Sequence, residues 1–524
     1  MNELSGEHSR DSSTLVFGGI CLVLLCYSLT AIAGWPQHGR DLLIEKQAAH
    51  ADHSHSHSNE SESSSNLSTI IPPPIFTIIP FVLLLSAIAI LPLLHRVEHW
   101  WEHNLSKLFI ATTLGMATLS YYLFFHRDAV EIHFPCHGLA QASDYGPSWS
   151  VVSAVLVNAL LSEYIPFIVL LFSLFVIAGS VRIEGDLVAS STTNALFLLV
   201  GALAASFIGT TGAAMVLIRP LLETNRERKH VAHTVVFFIF VVCNCGGCLL
   251  PVGDPPLFLG YLEGVDFFWT LSLWKEWLVT NLLIITIYWL WDSLVELPKE
   301  TQLDLSRDRG RTRQMVIRGL LSVPLMIGVI ASVALLDPSK VFPGTDWHPW
   351  IFLREVVLLS LVAISLRCGD VTIRRDNGFN YGAIIEVAVL FLGIFICMQP
   401  ALSILQIYGP TLGLSSSRSF FWATGLLSSV LDNAPTYLVF FKTAQSLGTE
   451  APTMAGVDIG RLAGVSLGAV FLGAMTYIGN GPNFMVKAIA EKQGIRMPSF
   501  FGYMVWSFCV LLPVFAFISF LFLS

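Results

Sequence analysis

The stretch VCNCGGCLLPVGDPPLFLG, residues 242–260, decides the fold of this chain. It is apolar at both ends, but glycines, prolines, Asn244 and Asp254 interrupt its middle. The prolines and glycines prevent one continuous helix, because proline lacks the backbone donor and glycine favours other conformations. A broken helix survives at membrane depth only when it is buried in protein or lines a cavity. We therefore expect a membrane-embedded helix that is broken at its centre.

The composition also indicates a membrane protein. Of the 524 residues, 54% are hydrophobic and 13% are charged, and the mean hydropathy is +0.67. Soluble domains carry roughly 25% charged residues, so a soluble enzyme, a nucleic-acid-binding protein and a disordered scaffold are excluded. At ~20 apolar residues per crossing, the sequence predicts an all-α polytopic membrane protein with about 11 transmembrane helices.

The basic residues predict the orientation in the membrane. They cluster within segments 226–229, 298–318, 367–375 and 487–496. Cytoplasmic loops carry an excess of Lys and Arg. With all four clusters in the cytoplasm, the apolar segments 194–223 and 416–446 must each enter and leave on one side, as re-entrant hairpins. This arrangement predicts a multi-pass protein of the inner (plasma) membrane with a cytoplasmic N-terminus. The window 14–34 is either a first helix or a cleaved signal peptide, since it ends in Ala-Ile-Ala.

Two halves of the chain resemble each other. EYIPFIVLLFSLF, which starts at Glu163, matches EVAVLFLGIFICM, which starts at Glu386, in character. The same offset carries SFIGTTGAAM (206–215) onto SVLDNAPTYL (429–438), two polar interruptions at the hairpin tips. A second broken helix, MTYIGNGPNFMVKAIA (475–490), matches the stretch 242–260. Because these features recur in order with opposite predicted topology, we expect an inverted-topology repeat.

The repeat divides the chain into four regions. Residues 1–150 form N-terminal helices with an extracytoplasmic loop rich in His and Ser. Residues 151–297 are the first repeat, with hairpin 194–223 and broken helix 231–260. Residues 298–379 connect the halves. Residues 380–524 are the second repeat, with hairpin 416–446 and broken helix 459–487.

The four interruptions carry polar side chains that predict an ion-binding or substrate-binding site. These residues are Thr210 and Thr211, Asn244 and Asp254, Asp432, Asn433 and Thr436, and Thr476, Asn480 and Asn483. Their hard oxygen donors suit Na⁺ better than a soft metal. Secondary transporters place such sites where broken helices meet near the midplane. The alternative for each residue alone is a helix cap or a kink.

Four acidic residues within apolar sequence are candidates for proton coupling. They are Asp254 and Asp432 in the breaks, and Glu163 and Glu386 at the starts of the repeats. An acid at the centre of a membrane costs at least ~2.5–3.5 kcal/mol on insertion scales. A buried carboxylate can hold either H⁺ or Na⁺, which is what a cation/proton exchanger needs. For the two glutamates, the alternative is a position at the membrane interface.

Three motifs carry a family resemblance. IGTTGAAMVLIRP (208–220), GDPPLFLG (253–260) and LDNAPTYLVF (431–440), with the break before Asn480, resemble the NhaD-type sodium/proton antiporters. These belong to the ion-transporter superfamily, which also includes arsenite permeases and citrate and dicarboxylate carriers. The resemblance covers about 155–524. It implies an elevator-type fold with a scaffold and a transport domain, often as a homodimer.

The hairpin tips depart from those of the carboxylate carriers. The resemblance implies that the hairpin tips of the carboxylate carriers have Ser-Asn-Thr triplets. This chain has Gly209-Thr210-Thr211 and Asp432-Asn433-Ala434 at the corresponding tips. The acid at the second tip would repel a polyanion. We therefore expect a secondary active transporter that exchanges cytoplasmic Na⁺ or Li⁺ for external H⁺ by alternating access. The alternative is cation-coupled transport of a citrate-like carboxylate, or of arsenite or another oxyanion.

The sequence favours neither an enzyme nor a cofactor beyond the transported ions. There is no HExxH motif, and GVSLG (464–468) lies within an apolar helical segment, without the strand-to-helix turn that would expose its serine. We expect the lipid bilayer and the two ions as partners, and no nucleic acid.

A histidine-rich tract lies in the first 150 residues. His50, His53, His55 and His57 belong to HADHSHSHSNESESSSNLS (50–68). Such a tract favours a solvated linker with no specific task. Weak capture of a transition metal, or pH sensing, is the alternative.

Overall fold

Helices dominate the structure. The computed structural model describes residues 2–42, 44, 72–94, 96–132, 138–143, 145–301, 312–449 and 451–523. It is 71% helical, and the described residues form 21 α-helices. In chain order these are α1 (Asn2–Ile32), α2 (Ile79–Ile90), α3 (Glu98–Trp101), α4 (Asn104–Phe124), α5 (Trp149–Val157), α6 (Ile165–Ala178), α7 (Ser191–Ile208), α8 (Thr210–Thr224), α9 (Ala232–Val241), α10 (Pro255–Leu262), α11 (Trp274–Trp291), α12 (Ser322–Leu335), α13 (Leu353–Cys368), α14 (Val371–Asp376), α15 (Gly382–Cys397), α16 (Gln399–Tyr408), α17 (Ser417–Ser428), α18 (Asn433–Ser446), α19 (Ile459–Leu472), α20 (Gly481–Lys492) and α21 (Phe500–Phe522).

Short helical turns and strands complete the described elements. The 3₁₀ turns are Ile75–Ile78, Leu91–Leu93, Cys245–Cys248, Trp269–Leu273, Leu297–Lys299, Gly409–Leu412 and Gly473–Met475, and the π-helical turns are Asn158–Tyr164 and Asp292–Glu296. The strands are β1 (Val130–Ile132), β2 (Gly138–Ala140), β3 (Arg182–Asp186), β4 (Arg313–Arg318), β5 (Thr453–Met454) and β6 (Val457–Asp458). They pair in sequence order as three two-stranded antiparallel ribbons.

Several helices are long and apolar enough to cross a membrane. Within the described ranges there are five, or six if the bent pair Gly382–Cys397 and Gln399–Leu412 forms one span. The five are Ser13–Ile32, Trp149–Ala178, Ser191–Ile208, Trp269–Lys299 and Phe500–Phe522. Their surfaces carry large apolar side chains, such as Leu22 on α1 and Phe520 on α21, 61% and 77% exposed. The helical membrane-protein class is therefore confirmed, while the count of about 11 crossings stays a prediction.

The chain folds into two compact units. Unit 1 contains residues 1–173, 327–369 and 380–404. Unit 2 contains residues 174–326, 370–379 and 405–524. Unit 1 includes residues 151–173 of the first predicted repeat and 380–404 of the second, and both hairpins and both broken helices belong to unit 2.

In unit 1, α15 packs closely on α4. Gly393 lies against Ala111, where an added Cβ would be 2.8 Å from the alanine Cβ. Phe391 stacks on Phe167 with ring centroids 4.7 Å apart. The small residue lets the two helices approach, and the stacked rings fill the adjoining space.

In unit 2, the closest helix pair is α17 and α19. Gly464 and Gly468 of α19 lie against the carbonyl groups of Ser417 and Phe421 of α17, leaving no room for a Cβ. The GVSLG sequence is thus a small-xxx-small packing motif. Ser466, the serine within it, is fully buried.

Candidate ion-binding site

A single residue joins the two helices of the first hairpin. The helix α7 ends at Ile208 and α8 begins at Thr210, with Gly209 between them at φ 79°. Glycine adopts this left-handed conformation without steric cost. The backbone N–H of Thr210 donates to the carbonyl oxygen of Gly253 at 2.8 Å. The hairpin tip is therefore held to the first broken helix by its main chain.

The second hairpin turns at Asp432. The Asp432 side chain accepts a hydrogen bond from the backbone N–H of Ala434 at 3.0 Å and caps α18. Thr436 donates its hydroxyl to the carbonyl oxygen of Asp432 at 2.9 Å. Both side chains thus stabilise the start of α18.

The first broken helix separates α9 from α10. Asp254 occupies the N-cap position of α10, and prolines follow it in the first turn. The buried carbonyl of Gly246 in the break accepts hydrogen bonds from Ser206 Oγ at 2.5 Å and Trp277 Nε1 at 2.9 Å. These donors satisfy a backbone oxygen that the interrupted helix leaves unpaired.

The second broken helix has the same plan. Asn480 occupies the N-cap position of α20, with a proline in the first turn. Thr476 donates to the carbonyl oxygen of Ser429 at 2.6 Å and accepts from the N–H groups of Ile478 and Gly479, each at 3.2 Å. Thr476 therefore fixes the backbone of this break.

The two breaks share a close contact between glycines. In the first, Gly253 lies against the carbonyl oxygen of Gly247, and in the second, Gly479 lies against that of Gly473. In each case a Cβ on the later glycine would collide with the earlier carbonyl. Both breaks thus fold back over the same number of residues.

The carboxylate of Asp254 lies where these four elements meet. Its Oδ1 accepts hydrogen bonds from Thr210 Oγ1 at 3.0 Å and Asn480 Nδ2 at 3.1 Å, and its Oδ2 accepts from Asn433 Nδ2 at 2.8 Å. Asp254 is 1% exposed. One buried carboxylate therefore collects donors from both hairpins and from the second broken helix.

Two further asparagines extend this network. Asn244 donates through Nδ2 to Asn483 Oδ1 at 2.8 Å, and its own Oδ1 accepts from Asn480 Nδ2 at 3.3 Å. Asn483 donates to the carbonyl oxygens of Gly473 at 2.9 Å and Thr476 at 3.0 Å. The amide side chains thus link the Asp254 carboxylate to the backbone of the second break.

Helix N-termini, rather than a basic side chain of the described residues, provide the electrostatic environment of Asp254. Among the described residues, no Lys or Arg forms an ion pair with it. Instead, four helices begin at or beside the carboxylate: α8 at Thr210, α10 after Asp254 itself, α18 at Asn433 and α20 after Asn480. Helix N-termini carry positive partial charge. They stabilise an anion here without neutralising it by an ion pair.

The predicted site residues separate into groups. Thr210, Asn433 and Asn480 bond the Asp254 carboxylate directly, and Asn244 and Asn483 bond it through Asn480. Asp432, Thr436 and Thr476 bond backbone atoms of the same unit, and Thr211 follows Thr210 in α8, partly exposed.

The two predicted glutamates belong to unit 1, not to the unit that holds Asp254. Glu386 Oε1 lies 2.8 Å from Nζ of Lys107, which is 3% exposed. Glu163 is buried in the π-helical turn Asn158–Tyr164. Glu386 thus pairs with a buried lysine, and the predicted part of both glutamates in proton coupling stays a prediction.

The sequence did not predict the residues that bond the backbone carbonyls at or beside the two breaks. Ser206 and Trp277 bind the carbonyl of Gly246, and Ser428 donates to the carbonyl of Ala469 at 2.8 Å. Ser206 stands at the start of the matched hairpin segment, which was the available signal. Trp277 lies on a separate helix, α11, and no local pattern marks it.

The histidine tract with His50, His53, His55 and His57 lies outside the described residues. Within the described part of the chain, no group of three or more His, Cys, Asp or Glu side chains is arranged to hold a metal ion.

Apolar helices, paired hairpins and broken helices around a buried carboxylate define an integral membrane protein of the transporter class rather than an enzyme. Residues 72–137 and 136–523 match the model of the CitMHS_2 family, described as "Putative citrate transport". The match covers most of the chain, so the chain belongs to this family. A comparison with curated proteins found no match.

Proposed function

We propose that the chain is a secondary active transporter that exchanges Na⁺ or Li⁺ for H⁺ at Asp254. The observation that carries this proposal is the buried Asp254 carboxylate, whose side-chain hydrogen bonds within the described residues all come from neutral groups. A carboxylate already paired with Lys or Arg would have little affinity for a cation. One held by neutral donors keeps its charge available for a proton or for Na⁺.

The neighbouring amides suit both states of the exchange. Asn433 and Asn480 each carry a donor nitrogen and an acceptor oxygen. In the structure their nitrogens donate to the carboxylate. Rotated amides would present oxygens, which together with Asp254 and the hydroxyl of Thr210 form the oxygen shell that a hard cation prefers. Release of Na⁺ would leave the carboxylate to take up a proton. The remaining predicted residues complete the proposed site and the backbone frame around it. They are Thr211, Asn244, Asp432, Thr436, Thr476 and Asn483.

The proposed architecture is an inverted repeat with a moving transport domain. Two correspondences support it: Thr210 and Asn433 each begin the second helix of a hairpin, and Asp254 and Asn480 each cap the second half of a broken helix. The membership of the two compact units is further support, because both hairpins and both broken helices belong to unit 2. Placement in the plasma membrane, a cytoplasmic N-terminus and a homodimer belong to this proposal.

A second candidate function is cation-coupled transport of a citrate-like carboxylate. The family description and the four helix N-termini around Asp254 favour it, because such termini bind anions. The Asp254 carboxylate weighs against it, since it already occupies the positive end of these helices and would repel a polyanion.

Transport in proteoliposomes tests both candidates. A pH gradient is imposed across vesicles that contain the full chain, and NaCl, LiCl or choline chloride is added outside. We expect Na⁺ and Li⁺, but not choline, to discharge the gradient. Uptake of labelled citrate is measured in parallel. Uptake of citrate without any discharge by Na⁺ would overturn the exchanger and favour the second candidate.

A further inference from the structure

Unit 2 contains a cleft that the proposed exchange does not use. It has a volume of about 430 Å³ and is lined by three arginines, Arg182 of β3, Arg219 of α8 and Arg313 of β4. The strands β3 and β4 pair antiparallel, with Arg182 opposite Arg318 and Asp186 opposite Arg313. Three arginines from three elements thus line one space.

The cleft also contains acidic side chains, and two of them are already paired. Glu184 accepts from Arg182 Nε at 2.9 Å and Arg318 Nε at 3.3 Å. Glu223 pairs with Arg226 at 3.3 Å. Asp186 lines the cleft as well. The first two acids are therefore not available to neutralise Arg219.

Two of the three arginines have unused binding capacity. The Nη1 atom of Arg182 is buried and has no hydrogen-bond partner among the described residues. Arg219 forms no ion pair within the described part of the chain, and Arg182 lines the same cleft, so their two positive charges share it. Like charges that share a partly buried space are stabilised by an anion between them.

The second hairpin shows how such a cation is normally satisfied in this fold. Lys442 of α18 occupies the position that corresponds to Arg219 of α8 under the offset between the hairpins. Lys442 forms an ion pair with Glu263, the residue that caps the end of α10. The residue that caps the end of α20 is Gln493, and it lines the cleft beside Arg219. Where the second hairpin has a carboxylate for its cation, the first has a neutral amide.

From this we infer that the cleft is a binding site for a phosphate group, held by Arg219, Arg182 and Arg313. Guanidinium groups bind phosphate through paired N–H donors. A planar carboxylate offers two oxygens in one plane, whereas the oxygens of a phosphate point in several directions and can meet donors from three elements. The phosphate is either free in solution or part of a lipid headgroup. A bound phosphate would tie α8 to the β3–β4 ribbon. This inference does not depend on the ion that the transporter exchanges.

Two variants and one control test the site in the full chain purified in detergent. Arg219→Gln removes the central cation. Gln493→Glu introduces the carboxylate that the second hairpin has, so that Arg219 is paired internally. The control is Arg375→Gln, which changes an arginine whose side chain is 67% exposed and which does not line the cleft. The variants are compared only where they elute as the wild type does in size-exclusion chromatography.

Two probes distinguish the sources of the phosphate. Inorganic phosphate is titrated at constant ionic strength while the melting temperature is followed, because a ligand that binds the folded state raises it. Retention of phosphatidylglycerol against phosphatidylcholine is measured by native mass spectrometry. We expect the wild type and Arg375→Gln to respond to at least one probe. Both cleft variants should bind that probe at least about tenfold more weakly, which corresponds to the loss of one charge-assisted hydrogen bond.

The outcomes are separable. A response to inorganic phosphate that both cleft variants lose supports a free phosphate. Selective retention of phosphatidylglycerol that both lose, without a response to inorganic phosphate, supports a lipid headgroup. The inference is overturned if the wild type responds to neither probe, or if Gln493→Glu binds as the wild type does. Because Gln493→Glu leaves every arginine in place, it keeps the test valid even where Arg219→Gln does not fold.

Discussion

The substitution Asp254→Asn separates the charge of the site from its hydrogen bonds. The asparagine oxygen can keep the position of Oδ1, where Thr210 and Asn480 donate. The new amide nitrogen then takes the position of Oδ2 and faces Asn433. The Asn433 amide can rotate to present its oxygen to this nitrogen, so a hydrogen bond between the two side chains is kept. The shape of the site is therefore preserved, while its charge is lost.

The two effects differ greatly in size. Hydrogen bonds to a charged acceptor contribute about 1.5–3 kcal/mol and neutral ones about 1 kcal/mol. Three weakened bonds are partly offset because a buried charge no longer has to be desolvated, so we expect the free energy of unfolding to change by about 2 kcal/mol or less. Attraction between a carboxylate and a cation 4 Å away is about 4 kcal/mol at an effective dielectric constant of 20. Loss of that attraction corresponds to a decrease in Na⁺ affinity of roughly a thousandfold.

Discharge of a pH gradient in proteoliposomes measures this loss. We expect no Na⁺-dependent discharge by Asp254→Asn, although the variant inserts into the membrane and elutes as the wild type does. Asp370→Asn is the matched control, because Asp370 is an exposed N-cap whose oxygen accepts from Thr372 N at 2.8 Å, and asparagine caps equally well. Asp254→Ala should instead destabilise the fold by several kcal/mol, since it removes the shared acceptor of three buried hydrogen bonds. Normal Na⁺-dependent discharge by Asp254→Asn would refute the assignment of Asp254 as the coupling residue.

Three further predictions concern the frame and the N-terminal region. Gly253→Ala should abolish transport and lower the melting temperature, because its Cβ would collide with the carbonyl of Gly247. Gly481→Ala, which has open space at that position, should behave as the wild type does. Lys442→Met should lower the free energy of unfolding by about 3 kcal/mol, because it leaves Glu263 unpaired at a largely buried position. The double variant with Glu263→Gln should recover most of that loss, and thermal denaturation measures both changes. Deletion of residues 36–66 should leave the rate of Na⁺-dependent discharge unchanged, and a large decrease would assign the histidine tract a role in exchange.

The membrane class and the breaks were predictable because local sequence determines them. Proline and glycine within an apolar run interrupt a helix whatever surrounds it, so the segments around Asp254 and Asn480 could be identified directly. The polar residues at these breaks were also predictable, since polar side chains are costly at membrane depth and need a reason to be there.

The arrangement of the site was less predictable, because it depends on contacts distant in sequence. That Asn433 and Asn480, but not Asp432, bond Asp254 follows from how α18 and α20 approach α10. For the same reason, the pairing of Glu386 with Lys107 could not be anticipated from Glu386 alone. The inverted repeat and the exchanged ion stay predictions.

The tether between the first hairpin and the first broken helix joins two main-chain groups, the N–H of Thr210 and the carbonyl of Gly253. Because every residue except proline supplies both groups, this contact places almost no demand on side-chain identity at position 210. The side chains around Asp254 can therefore change during evolution without loss of the frame that holds them. A fold built in this way can change the ion or molecule that it carries by point substitution.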